Sequence, residues 1–164
     1  MSETFEGWTE FNLAMVGAAT ALAGLLIVAM SVNIAAIMKA AVLPARAAAS
    51  IAALVLAMVA AAFGLIPGQL DVVYGVEVIV ATALAAIFQV HSMRVIIRED
   101  EVSTSIRWTK SATGLIPIGA FLVGGVLIVA GSTEAGLVAV AIGSVTAIVA
   151  AIILAWVVLV EVLR

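Results

Sequence analysis

The sequence predicts an all-α membrane protein: a five-transmembrane-helix bundle with its N-terminus outside and its C-terminus in the cytoplasm. Two observations predict the class and a third the topology. The chain is 66% hydrophobic, and only 10% of its 164 residues are charged. Soluble domains run at about 45–50% apolar and about 25% charged. A small soluble fold leaves too much area exposed to hide such a composition, so lipid is the remaining solvent. Apolar runs long enough to cross a hydrocarbon core, about 20 residues each, recur along the whole chain. All seven Lys and Arg fall on one side of the alternating spans.

The first span is expected over about 11–38, closed by Lys39 and by Leu43-Pro44-Ala45-Arg46. The second covers about 47–66 and stops at the turn signal Pro67-Gly68. The third runs from Asp71 to about 97 and is followed by a charged connector, Arg98-Glu99-Asp100-Glu101 through Arg107-Trp108-Thr109-Lys110. The fourth covers about 112–130, with Pro117 in its first turns, where proline is tolerated. Gly131-Ser132-Thr133-Glu134 turns the chain into the fifth, about 135–163. A single helix over the last two would be roughly 75 Å long against a core of about 30 Å, so two antiparallel helices fit better. The whole of 1–164 reads as a single transmembrane domain.

Cytoplasmic loops are enriched in Lys and Arg. Lys39 and Arg46 lie in the first linker, Arg94, Arg98, Arg107 and Lys110 in or beside the third, and Arg164 at the C-terminus. The other side has Glu3, Glu6, Glu10, Asp71 and Glu134 and no basic residue. Four or six spans would break this segregation. Trp8, Trp108 and Trp156 fall at expected interfaces. The acidic N-terminus lacks the basic n-region of a signal peptide, so the first apolar segment is expected to stay in the mature chain.

Composition also excludes functions. A net charge of −3 argues against nucleic-acid binding. The absence of cysteine removes disulfide, thiolate and redox chemistry. No protease, hydrolase or phosphate-loop motif occurs, nor any His/Asp/Glu cluster with metal-ligand spacing. No enzyme activity, cofactor or metal is expected.

Intramembrane polar groups are costly and therefore the functional candidates. Glu77 lies roughly 9 Å into the third helix, with no Lys or Arg on its side. It is protonated, faces water in the bundle, or binds a cation; the alternative is that it reaches headgroup water. Gln69, Asp71 and Tyr74 lie at the same mouth, lining an entrance or forming a solvated loop. His91 shares the face of Glu77 within about 40° but sits roughly 21 Å along the axis, too far for direct proton exchange. Ser31, Asn33, Gln89 and His91 are read as polar packing groups, Asn33 as a donor across to a neighbouring helix. Gly17 and Gly24, Gly124 and Gly131, and Gly136 and Gly143 are each seven apart. Small residues at such spacings let helices approach closely, within a bundle or between copies.

Several stretches carry a resemblance. They are Gly7-Trp8-Thr9-Glu10-Phe11, residues 17–26 (GAATALAGLL), residues 28–34 (VAMSVNI), residues 43–48 (LPARAA), and Leu65-Ile66-Pro67-Gly68-Gln69. Over roughly the first 70 residues the chain resembles a family of short polytopic membrane proteins common in actinobacteria, often labelled "modulator of FtsH protease". The resemblance implies a bacterial inner (cell) membrane protein and carries over no catalytic residue. The expected role is a non-enzymatic accessory subunit that packs against itself, as a homo-oligomer, or against a larger membrane complex such as a membrane protease. The alternative is a homo-oligomeric cation channel or transporter using Glu77, on a side whose acids would concentrate cations.

Overall fold

The computed structural model describes residues 5, 7–32, 34–39, 42–98 and 104–161. For 36, 104–113 and 160–161 it describes the backbone alone. The described chain is helical throughout. Helix α1 is Thr9–Val32, α2 Leu43–Phe63, α3 Asp71–Arg98, α4 Thr104–Val129 and α5 Thr133–Trp156. A single helical turn, Ile34–Ile37, follows α1, and a π-helical stretch, Val157–Glu161, extends α5.

Four stretches are long and apolar enough to cross a membrane: Thr9–Val32, Leu43–Phe63, Asp71–Arg98 and Thr133–Leu159. The described apolar part of α4 is Gly114–Val129. The surface agrees with this solvent. Leu13, Val32, Leu70 and Trp156 are 64%, 77%, 70% and 64% exposed, and many other large apolar side chains point outward. Water-soluble monomers do not carry contiguous apolar surface on this scale. The protein is a membrane-embedded helical bundle.

Helices α2, α3, α4 and α5 pack in a ring, each on the next, with α5 returning to α2; α1 lies outside, mainly on α2 and partly on α5. Alanine explains why α2 can serve three neighbours. Ala47, Ala49, Ala53, Ala57, Ala60 and Ala61 are all buried, and their small side chains admit α1, α3 and α5 on different sides. Larger residues fill the ring interior: Leu54, Tyr74, Val78, Phe121 and Ile128 are all at most 1% exposed.

Glycine sets the closest approaches. A Cβ on Gly124 would sit 2.8 Å from the Gly136 carbonyl oxygen, and one on Gly136 would sit 2.7 Å from that of Gly124. Gly75 and Gly125 make the same reciprocal arrangement at 3.0 Å, joining α3 to α4. At these separations backbone meets backbone, and Cα–H groups face carbonyl oxygens. Gly143 takes the ring of Phe121. Gly131 does something else: it has φ 89° and turns α4 into α5.

Helix boundaries differ from the hydropathy pattern in three places. The Leu43-Pro44-Ala45-Arg46 stretch opens α2 instead of only closing the span before it. Proline falls at the start of the helix, where the missing N–H costs nothing. Helix α4 begins at Thr104, inside the expected connector, because hydropathy marks the part in lipid and not the helix end. Pro117 is therefore not in the first turns. It lies more than three turns into α4, where it removes one helical hydrogen bond. In the third place, α5 in regular form ends at Trp156 and continues with a wider π-helical winding.

Charges separate by end. Glu10, Asp71 and Glu134 lie at the end where α1, α3 and α5 begin. Lys39, Arg46, Arg94 and Arg98 lie at the other. Glu3, Glu6, Asn33, the 99–103 segment and Arg164 lie outside the described residues, as do the side chains of Arg107, Trp108 and Lys110.

Candidate functional site: a polar cluster at the acidic end

After α2 the chain turns through Pro67 and Gly68, the latter at φ 74°, a left-handed value that suits glycine. This turn sends Gln69 back over the first turns of α3. There its Nε2 donates to Glu77 Oε2 across eight residues. Gln69 Oε1 stays buried and without a partner among the described residues. Tyr74, between the two in sequence, is fully buried, and its hydroxyl likewise has no partner. The ring of Phe5 stands edge-on to it, 5.3 Å between centroids at 88°.

Helix α1 contributes Asn12, 4% exposed, whose Nδ2 also lacks a partner. A Cβ on Gly64 would meet that nitrogen at 2.6 Å, so a side chain there would make the Asn12 amide shift. Asp71 makes a contact to another helix. It accepts a hydrogen bond from Thr133 Oγ1 at 2.8 Å and so ties the start of α3 to the start of α5.

Of the residues singled out from sequence, Gln69, Tyr74 and Glu77 come together, while Asp71 serves a helix-to-helix link. Glu77 is half-buried and held by an amide, with no cationic partner among the described residues. The three side chains carry a carboxylate, an amide and a phenol, of which the amide and the carboxylate are joined by a hydrogen bond. Among the described residues no three His, Cys, Asp or Glu gather as metal ligands.

The remaining polar residues are dispersed. His91 is exposed and shares a shallow outward groove with Arg94. Ser31 donates to the Ile27 carbonyl of its own helix at 2.8 Å. Thr82 and Ser144 do the same to Val78 and Val140, which satisfies a hydroxyl in lipid without a second helix. Gln89 is buried, its amide pressed onto Gly114. Gly17 and Gly24 face open space, with nothing within 4 Å of a Cβ on either. Asn12 escaped sequence reasoning because Phe11 and Leu13 make it look like part of the interface. No local signal announces it, since its neighbour Gly64 lies at the end of another helix.

The fold and surface define a membrane-embedded helical bundle with one polar cluster near the acidic end. No family model, characterised protein or solved structure matches the chain.

Proposed function

We infer that the protein is a non-enzymatic, multi-pass protein of the bacterial inner membrane that serves as an accessory subunit. It spans the bilayer five times, with the N-terminus outside and the C-terminus in the cytoplasm. It packs against a second copy or a larger membrane complex such as a membrane protease. The observation that carries the reading is the open face of α1. Gly17, Ala21 and Gly24 are exposed, and a side chain on either glycine would touch nothing. Glycine in a helix gives up stability unless a close approach uses it. An unpartnered glycine face on the most peripheral helix is suited to a helix from outside the chain. The segregation of Lys39, Arg46, Arg94 and Arg98 from Glu10, Asp71 and Glu134 supports the orientation. The resemblance over the first 70 or so residues supports a protease as the partner.

Crosslinking in native membranes tests this, using photoreactive residues in place of Thr20 or Val28. Crosslinked partners are expected, and Gly17→Leu with Gly24→Leu is expected to abolish them. A chain that purifies alone and crosslinks to nothing sinks the reading.

A second reading, a cation-conducting oligomer, draws on the oxygen-rich cluster of Glu77, Gln69 and Tyr74 at the acidic end. Ion flux into liposomes decides it: flux is expected, with loss in Glu77→Gln. Absence of flux from the unmodified protein removes this second reading.

A further inference from the structure

The end of the bundle opposite Glu77 holds a second polar feature. A cavity of about 50 Å³ lies between α2, α3, α4 and α5. Arg46 lines it from the first turn of α2, with Ser50 one turn further along. Gln89 and Ser92 line it from α3 and are 6% and 2% exposed. The rest of the wall is small or apolar, including Ala53, Pro117 and Leu154.

Three properties of this cavity point the same way. All four polar side chains can donate hydrogen bonds. Among the described residues of the lining Arg46 is the one that carries a charge, and none is a carboxylate. The Ser50 hydroxyl is buried and has no hydrogen-bond partner among the described residues. A half-buried guanidinium at the edge of an apolar bundle calls for a counter-anion, because its charge is poorly solvated there. Arginine presents paired N–H groups that match two oxygens of one anion. A single water needs about 10–15 Å³ of such space, so the cavity has room for one small tetrahedral group.

We propose that this pocket binds an oxyanion of the phosphate class. Arg46 takes two of its oxygens, and Ser50, Ser92 and Gln89 donate to the others. A carboxylate has only two oxygens and would leave converging donors unused, which favours the tetrahedral anion. The phosphate belongs to an anionic lipid headgroup or to a free ion. Basic pockets between transmembrane helices are known seats for the former. Arg94 and Arg98, exposed at the same end, lack the enclosing wall and remain solvated.

Thermal unfolding of the delipidated full-length protein in detergent tests this in two arms. One adds phosphatidylglycerol, with diacylglycerol as the phosphate-free control. The other adds inorganic phosphate, with chloride at matched ionic strength. A rise in unfolding temperature in either arm above its control is expected, and the arm that responds identifies the source. Arg46→Gln is expected to abolish the rise, and Arg98→Gln to leave it intact. The double variant Ser50→Ala/Ser92→Ala keeps the arginine and is expected to weaken binding by about a hundredfold, roughly tenfold for each of two hydrogen bonds to a charged group. No rise in either arm overturns the proposal. So does an equal rise in Arg46→Gln, an equal loss in Arg98→Gln or, should Arg46→Gln fail to fold, unchanged binding by the double serine variant.

Discussion

Gly17 and Gly24 in α1 and Gly136 and Gly143 in α5 share a seven-residue spacing and little else. At Gly124 and Gly136 the two backbones touch, and a methyl group on either would enter the other's carbonyl oxygen. At Gly17 and Gly24 a methyl group meets nothing. The same residue type at the same interval thus marks a finished interface in one region and an unoccupied face in the other. Spacing identifies which side of a helix is smooth. It does not say whether the neighbour belongs to the same chain.

The sharpest way to break this contrast is to add one methyl group at each place. Gly136→Ala puts its Cβ 2.7 Å from the Gly124 carbonyl oxygen, where helix backbone and not a flexible side chain must yield. A loss of about 2 kcal/mol is expected, within the range for overpacking a tight site. Unfolding of the purified protein in mixed micelles measures it, and an unchanged protein would mean the hairpin is looser than described. Next in size is Thr133→Val, which removes the 2.8 Å bond to Asp71 and keeps the shape. About 1 kcal/mol is expected in the same assay, the scale of an interhelical hydrogen bond in lipid. The smallest effect belongs to Gly24→Ala. In the isolated chain it is expected to stabilise by about 0.5 kcal/mol, since alanine is the better helix former and nothing stands in its way. Destabilisation there in the monomer would show that α1 is not open.

Much of the bundle was legible from sequence because lipid simplifies the problem. With no water to satisfy backbone groups, apolar runs must be helices, and their number follows from length. What escaped were features that depend on neighbours. Gly75 and Gly125 form a backbone contact between α3 and α4, yet neither has a periodic partner in its own helix to announce it. From sequence, Pro117 is expected in the first turns of a helix starting near Ala112, where the charged connector ends, but helices continue past the lipid boundary and carry Thr104–Lys110 with them. At the candidate site, Gln69 and Glu77 are eight residues apart, about 12 Å along a continuous helix and too far to touch. Only the turn at Gly68 brings their side chains together. Arg46 read as one more cytoplasmic charge. Its place in a walled cavity follows from Gln89 and Ser92 on another helix, which no local pattern links to it.

The short link between α4 and α5 also bears on how the chain enters the bilayer. Three residues, Ala130 to Ser132, separate helices whose glycines are already matched face to face. Such a pair can leave the translocation machinery as one folded unit, with its closest contact formed before the rest of the bundle gathers. The tip of that unit carries Glu134 as its one ionisable side chain and no lysine or arginine. Were this tip to cross the hydrocarbon core, its carboxylate would cost about 3 kcal/mol, and less when protonated.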